Sequence, residues 1–248
     1  MKYVFGNWKM YMNYDETVAL ANTLATASIS EHDLTLAVFP LAIATKPVVD
    51  AFANTKFAVG AQNVSWTPKG AYTGAVSALM YRELGCKYAL IGHSERRHIF
   101  GETDEAVRRK IEACLENGLT PVVCIGETKA ERDSGGREER LIAQIESAFS
   151  GLNINGNEMI VAYEPVWAIG TGDACDVAEA VKVHTFIDTQ IQKTCGKSLP
   201  ILYGGSVNAK NVLSYLNEGN INGVLVGNAS AKADTFVPLI DSASEISK

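Results

Sequence analysis

Eight short apolar runs, each separated from the next by a longer segment, constrain the fold of this sequence more than any other feature. Each run has the length of a β-strand. Most of the runs do not alternate between apolar and polar residues, which is typical of a parallel sheet covered on both faces. The predicted strands are Tyr3–Asn7, Leu34–Phe39, Phe57–Ala61, Tyr88–Ile91, Thr120–Ile125, Met159–Tyr163, Ile201–Gly204 and Gly223–Val226.

Helical periodicity marks the segments between these runs. In Asp15–Ala27, for example, Thr17, Leu20 and Leu24 recur at the spacing that places them on one face of a helix. Because two parallel strands need a crossover long enough for a helix, the alternation predicts parallel pairing. The other predicted helices are Ala44–Ala53, Ser77–Leu84, Asp104–Asn117, Arg137–Phe149, Val177–Cys195, Ala209–Leu216 and Ala231–Ile240.

The number of strand–helix units and the chain length together indicate the fold class. Eight units in 248 residues have the size of a closed barrel. We therefore predict an α/β fold, a single (β/α)8 TIM barrel with eight parallel strands, and one domain over residues 1–248. An open doubly wound sheet of eight strands is the alternative that this pattern leaves.

Charge and cysteine content narrow the classes of protein. The net charge of −6 argues against a nucleic-acid-binding surface, although a local basic pocket for an anion is compatible with it. No apolar run approaches the roughly 18 residues of a membrane span, and the N-terminus lacks a signal-peptide pattern. The five cysteines form no CxxC pair, so neither a metal site nor a disulfide framework is predicted. We expect a cytoplasmic protein with no cofactor.

Three chemically useful side chains come directly after predicted strands. Lys9 follows the first strand, His93 the fourth and Glu164 the sixth. In a (β/α)8 barrel, these positions meet at the end where active sites lie. Each residue taken alone is more often structural or solvated than functional. Together they predict a cation, a hydrogen-bond donor and a base that converge on one small substrate.

Glycine-containing segments follow the last two predicted strands. They are Gly204-Gly205-Ser206 and Gly227-Asn228. After strands seven and eight of a barrel, backbone N–H groups commonly bind phosphate. A small phosphorylated metabolite is therefore the predicted substrate.

Several motifs carry a specific resemblance to a known family. They are Asn7-Trp8-Lys9-Met10, Gly60-Ala61-Gln62-Asn63, Ile91–Arg97, Cys124–Glu127, Ala162–Gly172, Tyr203–Val207 and Leu225–Gly227. With these motifs in family order over nearly its full length, the sequence resembles the triosephosphate isomerase family. The resemblance implies an enzyme of glycolysis and gluconeogenesis that interconverts dihydroxyacetone phosphate and D-glyceraldehyde 3-phosphate through an enediolate.

The resemblance also implies catalytic roles for five residues. Glu164 is the expected base, which moves a proton between two carbons. His93 is the expected electrophile, a neutral imidazole at the start of a helical turn, as is known for this family. Lys9 is expected to supply positive charge, and Asn7 to position the substrate oxygens. Glu95 is expected to orient Lys9.

A lid over residues 165–175 is a further implication of the resemblance. Ile169 and Leu225 are expected to exclude water from the substrate. Tyr203 and Ser206 are expected to hold the lid closed. The lid residues are Pro165, Val166, Trp167, Ala168, Ile169, Gly170, Thr171, Gly172, Asp173, Ala174 and Cys175. The expected substrate- and phosphate-binding residues are Asn7, Lys9, Gly170, Ser206, Leu225, Gly227 and Asn228.

Two departures from the family pattern fall at the expected site. Asn228 stands where the family usually has a second glycine. Since asparagine tolerates positive φ, we expect phosphate binding to be retained or weakened. Asp173-Ala174-Cys175 replaces the usual Lys-Thr-Ala, which is expected to change lid rates more than chemistry.

A third departure concerns association between copies. Residues 70–77 resemble the family's dimer loop, so a homodimer through the loop around Thr73 is expected. Ala75 replaces the glutamate that usually pairs with an arginine at the position of Arg96. We expect Arg96 to find another partner or to face water, and the dimer to be weaker.

Two other functions are compatible with parts of this pattern. A different phosphate-binding barrel isomerase or lyase would share the glycine loops but would lack the lid and the Lys9, His93 and Glu164 set. A non-catalytic binding or scaffold protein that kept the fold would have lost one of these three groups.

Overall fold

The computed structural model describes residues 1–29, 33–154, 156–169 and 174–246. Eight parallel strands close into a barrel in chain order, and the last strand pairs with the first. The predicted (β/α)8 barrel is confirmed, and the open sheet is wrong because neither end strand has an unpaired edge. The strands are β1 (Lys2–Asn7), β2 (Leu34–Phe39), β3 (Phe57–Ala61), β4 (Tyr88–Ile91), β5 (Thr120–Ile125), β6 (Ile160–Tyr163), β7 (Ile201–Tyr203) and β8 (Gly223–Val226).

Helices lie between consecutive strands and after the last one. They are α1 (Tyr14–Thr26), α2 (Thr45–Ala51), α3 (Ala78–Leu84), α4 (Ser94–His98), α5 (Asp104–Glu116), α6 (Lys129–Asp133), α7 (Arg137–Phe149), α8 (Val177–Cys195), α9 (Val212–Leu216) and α10 (Ala233–Ser244). Short 3-10 segments span Ala42–Ala44, Val166–Ala168 and Asn228–Ser230. The eight helices predicted from periodicity are present: α7 and α8 have the predicted bounds, and the ends of the other six differ by four residues or fewer. Periodicity does not predict α4 or α6, because five residues are too few to show a repeat.

Capping residues explain where the long helices begin and end. The Asn13 side chain accepts the N–H of Glu16 at 2.9 Å, and the Glu16 carboxylate accepts the N–H of Asn13 at 2.8 Å. This reciprocal pair is a capping box at the start of α1. Asp176 caps α8 by accepting the N–H of Ala178 at 3.0 Å. The cap that ends α8 is Gly196, whose φ of 75° lies in the left-handed region that favours glycine.

Two apolar layers bury both faces of the strands. Inside the barrel, the rings of Phe39 and Tyr88 pack on Phe5 with centroids 5.7 and 4.8 Å away. Between the barrel and the helices, side chains such as Leu24 of α1 and Ile187 of α8 form the second layer. A fully buried large apolar side chain contributes roughly 1.5–3 kcal/mol to stability. Burial on both faces explains why the strands lack polar alternation in the sequence.

The closed parallel barrel brings all eight strand ends to one rim, so residues distant in the sequence become neighbours there. In the part of the chain that the structure describes, no helix has the length and apolarity needed to cross a membrane.

Candidate active site at the carboxyl ends of the strands

A cavity of about 440 Å³ opens at the carboxyl ends of the strands. The predicted site residues that line it are Asn7, Lys9, His93, Glu164, Ile169, Ser206, Leu225, Gly227 and Asn228. Tyr11, Val207, Asn208 and Ala229 also line it and were not assigned a role from the sequence. The closed barrel therefore brings the residues that follow β1, β4, β6, β7 and β8 around one space. Within the described ranges, no group of three or more side chains has the arrangement of a metal site.

Glu164 follows β6 directly and is 2% exposed. Its backbone is fixed, because its N–H donates to the Ile125 carbonyl at 2.7 Å. One carboxylate oxygen, Oε2, accepts the backbone N–H of Ser94 at 2.8 Å. The other oxygen, Oε1, lies 3.0 Å from Nε2 of His93. Because the Glu164 carboxylate is buried and both of its oxygens have a partner, it has a defined position at the wall of the cavity.

His93 is the residue that caps the start of α4. Its Nδ1 accepts the backbone N–H of Glu95 at 3.2 Å, so Nδ1 carries a lone pair in this arrangement. The proton of a neutral ring is then on Nε2, the nitrogen that faces Glu164 and the cavity. The local turn of the backbone thus selects the tautomer that can donate to a ligand.

Lys9 has an unusual backbone, with a φ of 47°. For a non-glycine residue this left-handed conformation costs roughly 1–2 kcal/mol. Two contacts hold it: the Lys9 N–H donates to Asn7 Oδ1 at 3.0 Å, and the Lys9 carbonyl accepts Gln62 Nε2 at 2.7 Å. Gln62 also donates to the Phe39 carbonyl at 2.9 Å. The side chain of Gln62 therefore ties the strained loop after β1 to the end of β2.

The ammonium group of Lys9 is positioned by Glu95, whose Oε1 lies 2.6 Å from Nζ. Glu95 is not among the residues that line the cavity, and the contact of its carboxylate is with Lys9. A Cβ on Gly227 would lie 3.9 Å from Lys9 Nζ. The glycine loop after β8 and the ammonium group are therefore next to each other.

Gln62 belongs to the motif Gly60-Ala61-Gln62-Asn63 and is a polar residue directly after β3, but the sequence analysis did not predict a role for it. Its position at the carboxyl end of a barrel strand was the sequence feature that could have identified it as a site residue.

The two residues after β7 are glycines because neighbouring atoms leave no room for a Cβ. A Cβ on Gly205 would overlap the hydroxyl of Tyr203, and one on Gly204 would lie 3.0 Å from Cγ of Glu164. After β8, Asn228 begins a 3-10 segment and does not have positive φ. The argument that asparagine tolerates positive φ therefore does not apply to Asn228, because any residue can adopt its backbone conformation.

Residues 165–175, the predicted lid, are described at both of their ends. Residues 170–173 lie outside the described residues, and with them the expected phosphate contact of Gly170. On the near side, Ser206 Oγ donates to the Ala168 carbonyl at 2.8 Å. On the far side, the Cys175 N–H donates to the Tyr203 hydroxyl at 3.0 Å, and Tyr215 donates to the Cys175 carbonyl at 2.5 Å. Both ends are thus anchored to the segment between β7 and β8.

A buried carboxylate, Glu127, contacts the first residues of the predicted lid. Its Oε1 accepts Trp167 Nε1 at 2.9 Å and the Tyr163 hydroxyl at 3.1 Å. Nε of Arg137 lies 3.2 Å from the same oxygen. Burial, followed by the charge of Glu127, raises the pKa of Tyr163, so its hydroxyl stays a donor. Sequence reasoning gave Glu127 no role, because its partners come from distant parts of the chain.

Arg96 has a partner in its own chain. Its Nε donates to Glu102 Oε2 at 3.0 Å, and its guanidinium lies 4.7 Å from the centre of the Phe100 ring. Lys110 pairs with the same carboxylate. The expectation that Arg96 finds another partner is met by Glu102. Ala75 lies on an exposed loop.

Comparisons with known proteins agree with this geometry. A sequence profile described as "Triosephosphate isomerase" matches residues 2–243. Over 240 residues the chain is 42% identical to triosephosphate isomerase of Roseiflexus sp. (strain RS-1), covering 95% of this chain and 94% of that protein. It is 40% identical over 241 residues to the protein of the same name from Aquifex aeolicus (strain VF5), covering 96% and 97%.

Proposed function

The chain belongs to the triosephosphate isomerase family, and we propose that it interconverts dihydroxyacetone phosphate and D-glyceraldehyde 3-phosphate in glycolysis and gluconeogenesis. The family match removes the alternative of a different phosphate-binding isomerase or lyase. The observation that carries the proposal is the contact between Glu164 and His93, 3.0 Å apart at one cavity wall. We further propose that residues 1–248 act as one catalytic domain.

Proton transfer begins at Glu164. The substrate carbon is a weak acid, so a base and a stabiliser of the enediolate oxygen must act together. Both Glu164 oxygens face other groups, Ser94 N–H at 2.8 Å and His93 Nε2 at 3.0 Å. The carboxylate therefore turns away from these groups to reach a carbon atom of the substrate. That movement leaves Nε2–H of His93 free to donate to the substrate carbonyl.

Positive charge on Lys9 favours the enediolate. Lys9 lies beside the Gly227 loop, where its charge acts on both the phosphate and the developing oxyanion. Glu95, 2.6 Å from Nζ, restricts the ammonium group to that direction. Asn7 lines the same wall and positions the substrate oxygens.

The phosphate is held by the segments after β7 and β8 and by the lid. N–H groups of Ser206, Gly227 and Asn228 are the proposed donors, and Gly170 adds one from the lid. Ile169 and Leu225 line the cavity with apolar surface, which excludes water and strengthens the electrostatic interactions inside. Ser206 and Tyr203 anchor the two ends of the lid.

The test is turnover of D-glyceraldehyde 3-phosphate, followed with a coupled dehydrogenase. Glu164→Gln keeps the shape but removes the base, and we expect kcat to fall about 10³-fold. Glu139→Gln, an exposed carboxylate on α7, is the matched control and should leave kcat unchanged. Absence of turnover in the wild-type chain would contradict the proposal and favour the non-catalytic binding protein.

The proposed assembly is a homodimer through the loop around Thr73. Met10, Tyr72, Ile99 and Phe100 are large apolar side chains that this chain leaves exposed, which is typical of an interaction surface. Because Ala75 cannot pair with Arg96 of a second copy, we expect weak association. Ala75→Glu should tighten it. Sedimentation that finds only dimer at nanomolar wild-type protein would contradict weak association.

We propose the cytoplasm as the location. All five thiols are free, which fits a reducing compartment.

A further inference from the structure

Asn228 combines a fixed backbone with a free side chain at the cavity. The turn that contains it is held by Ser230 N–H to the Gly227 carbonyl at 2.9 Å and Ala231 N–H to the Asn228 carbonyl at 3.1 Å. Ser230 Oγ adds a bond to the Val226 carbonyl at 2.9 Å. In the described part of the chain, the Asn228 amide has no hydrogen-bond partner. This amide lines the cavity and is exposed.

Other polar side chains at this end of the cavity already make hydrogen bonds within the protein. Asn208 Oδ1 accepts the N–H of Lys210 at 2.8 Å, and Ser206 Oγ donates to the Ala168 carbonyl at 2.8 Å. At the end of the neighbouring strand β1, Asn7 Oδ1 accepts the N–H of Lys9. Asn7 and Asn208 use only the oxygen of their amides, so among the three asparagines Asn228 is the one whose amide oxygen and nitrogen are both unused in the described structure. A primary amide offers two N–H groups to a ligand.

The surroundings of Asn228 favour an anion. The preceding residue, Gly227, lies so close to Lys9 that an added Cβ would be 3.9 Å from Nζ. An anion bound to the N–H groups of this turn is therefore attracted by the ammonium charge as well. Because the 3-10 backbone of Asn228 does not require glycine, the side chain adds donors without straining the turn.

We propose that the side-chain amide of Asn228 donates to the phosphate group of the substrate and sets the affinity of this chain for phosphate monoesters. This inference rests on the proposed function, and it goes beyond the expectation from the sequence that phosphate binding is retained or weakened. A hydrogen bond to a charged group contributes more to affinity where it is shielded from water than where water competes for it.

The experiment compares the wild type with Asn228→Gly, Asn228→Ala and Asn228→Asp. For each protein, kcat and KM are measured with D-glyceraldehyde 3-phosphate, and the Kd of inorganic phosphate is measured by calorimetry. We expect KM and Kd to rise about tenfold in the glycine and alanine variants alike, with kcat unchanged. The aspartate variant should bind phosphate more weakly still, and salt should reduce that additional loss.

The alanine variant separates the side chain from the backbone, since it lacks the amide but keeps a Cβ and ordinary backbone freedom. A Kd that rises in the glycine variant and not in the alanine variant would overturn the proposal, because the effect would then come from backbone freedom. An aspartate variant that binds phosphate as well as the wild type would overturn it as well.

The two proposals fail separately. Calorimetry with inorganic phosphate does not depend on turnover, so an inactive wild type contradicts the isomerase function alone. Equal phosphate affinity in all four proteins contradicts the role of Asn228 alone.

Discussion

A histidine buried without hydrogen-bond partners is expected to cost this protein stability in acid. His184 of α8 is fully buried, and in the described structure neither ring nitrogen makes a hydrogen bond of ordinary geometry, the backbone of Asn220 being the polar group that acts most on the ring. Its ring packs edge-on against Tyr163, with centroids 5.8 Å apart. Burial lowers the pKa of His184 to about 4; the backbone at Asn220 partly offsets this, and the charge of Lys2 adds to it.

The size of the effect follows from the two pKa values of His184. The unfolded value is 6.5 and the folded value is about 4. Between these pH values the unfolded chain binds a proton that the folded chain does not, so the free energy of unfolding decreases as the pH falls. Each pKa unit corresponds to about 1.4 kcal/mol, so the loss approaches about 3 kcal/mol by pH 4.

Urea unfolding of the wild type and of His184→Leu at pH 7 and pH 4 measures this loss, at one fixed protein concentration. Both proteins lose stability through other titrating groups, so the informative quantity is the difference between their losses. We expect the wild type to lose about 3 kcal/mol more than the leucine variant. His98→Gln, which changes an exposed histidine, is the control and should keep the wild-type acid sensitivity.

Equal acid sensitivity of the wild type and His184→Leu would refute the reasoning. A direct check is an NMR titration of the folded protein. A His184 resonance that titrates near pH 6.5 in the native state would show that burial does not exclude the charged form.

Three further predictions concern the site. Gln62→Leu removes the support of the strained Lys9 backbone and should lower kcat/KM about tenfold in steady-state assays, with the unfolding midpoint little changed. Trp167→Phe removes the donor to Glu127 and should change lid opening, seen as a changed dependence of kcat on solvent viscosity. Gly126→Ala places a Cβ on the backbone carbonyl oxygen of Glu164, so soluble expression should be lost. Normal activity of this variant would contradict the close approach of Gly126 to that oxygen.

The strands and helices were predictable because each is specified by residues that lie close together in the sequence. The bounds of β2 were predicted correctly, since all six residues are apolar or small and the run ends at Pro40. In α8, periodicity gave both ends, with Asp176 before and Gly196 after. Strand ends then placed Lys9, His93 and Glu164 at one rim. By contrast, α6 depends on the capping box of Thr128 and Glu131, and a five-residue helix carries no period.

The sequence by itself determined the alternation of strands and helices, and hence which side chains lie at the rim of the barrel. It did not determine the partners of those side chains. Only the tertiary structure joined Gln62 to Lys9, the Ser94 N–H to Glu164 and Trp167 to Glu127. The physical reason is that periodicity and caps act over a few residues. Hydrogen bonds across the rim connect residues tens of positions apart, and their geometry exists only once the barrel has closed.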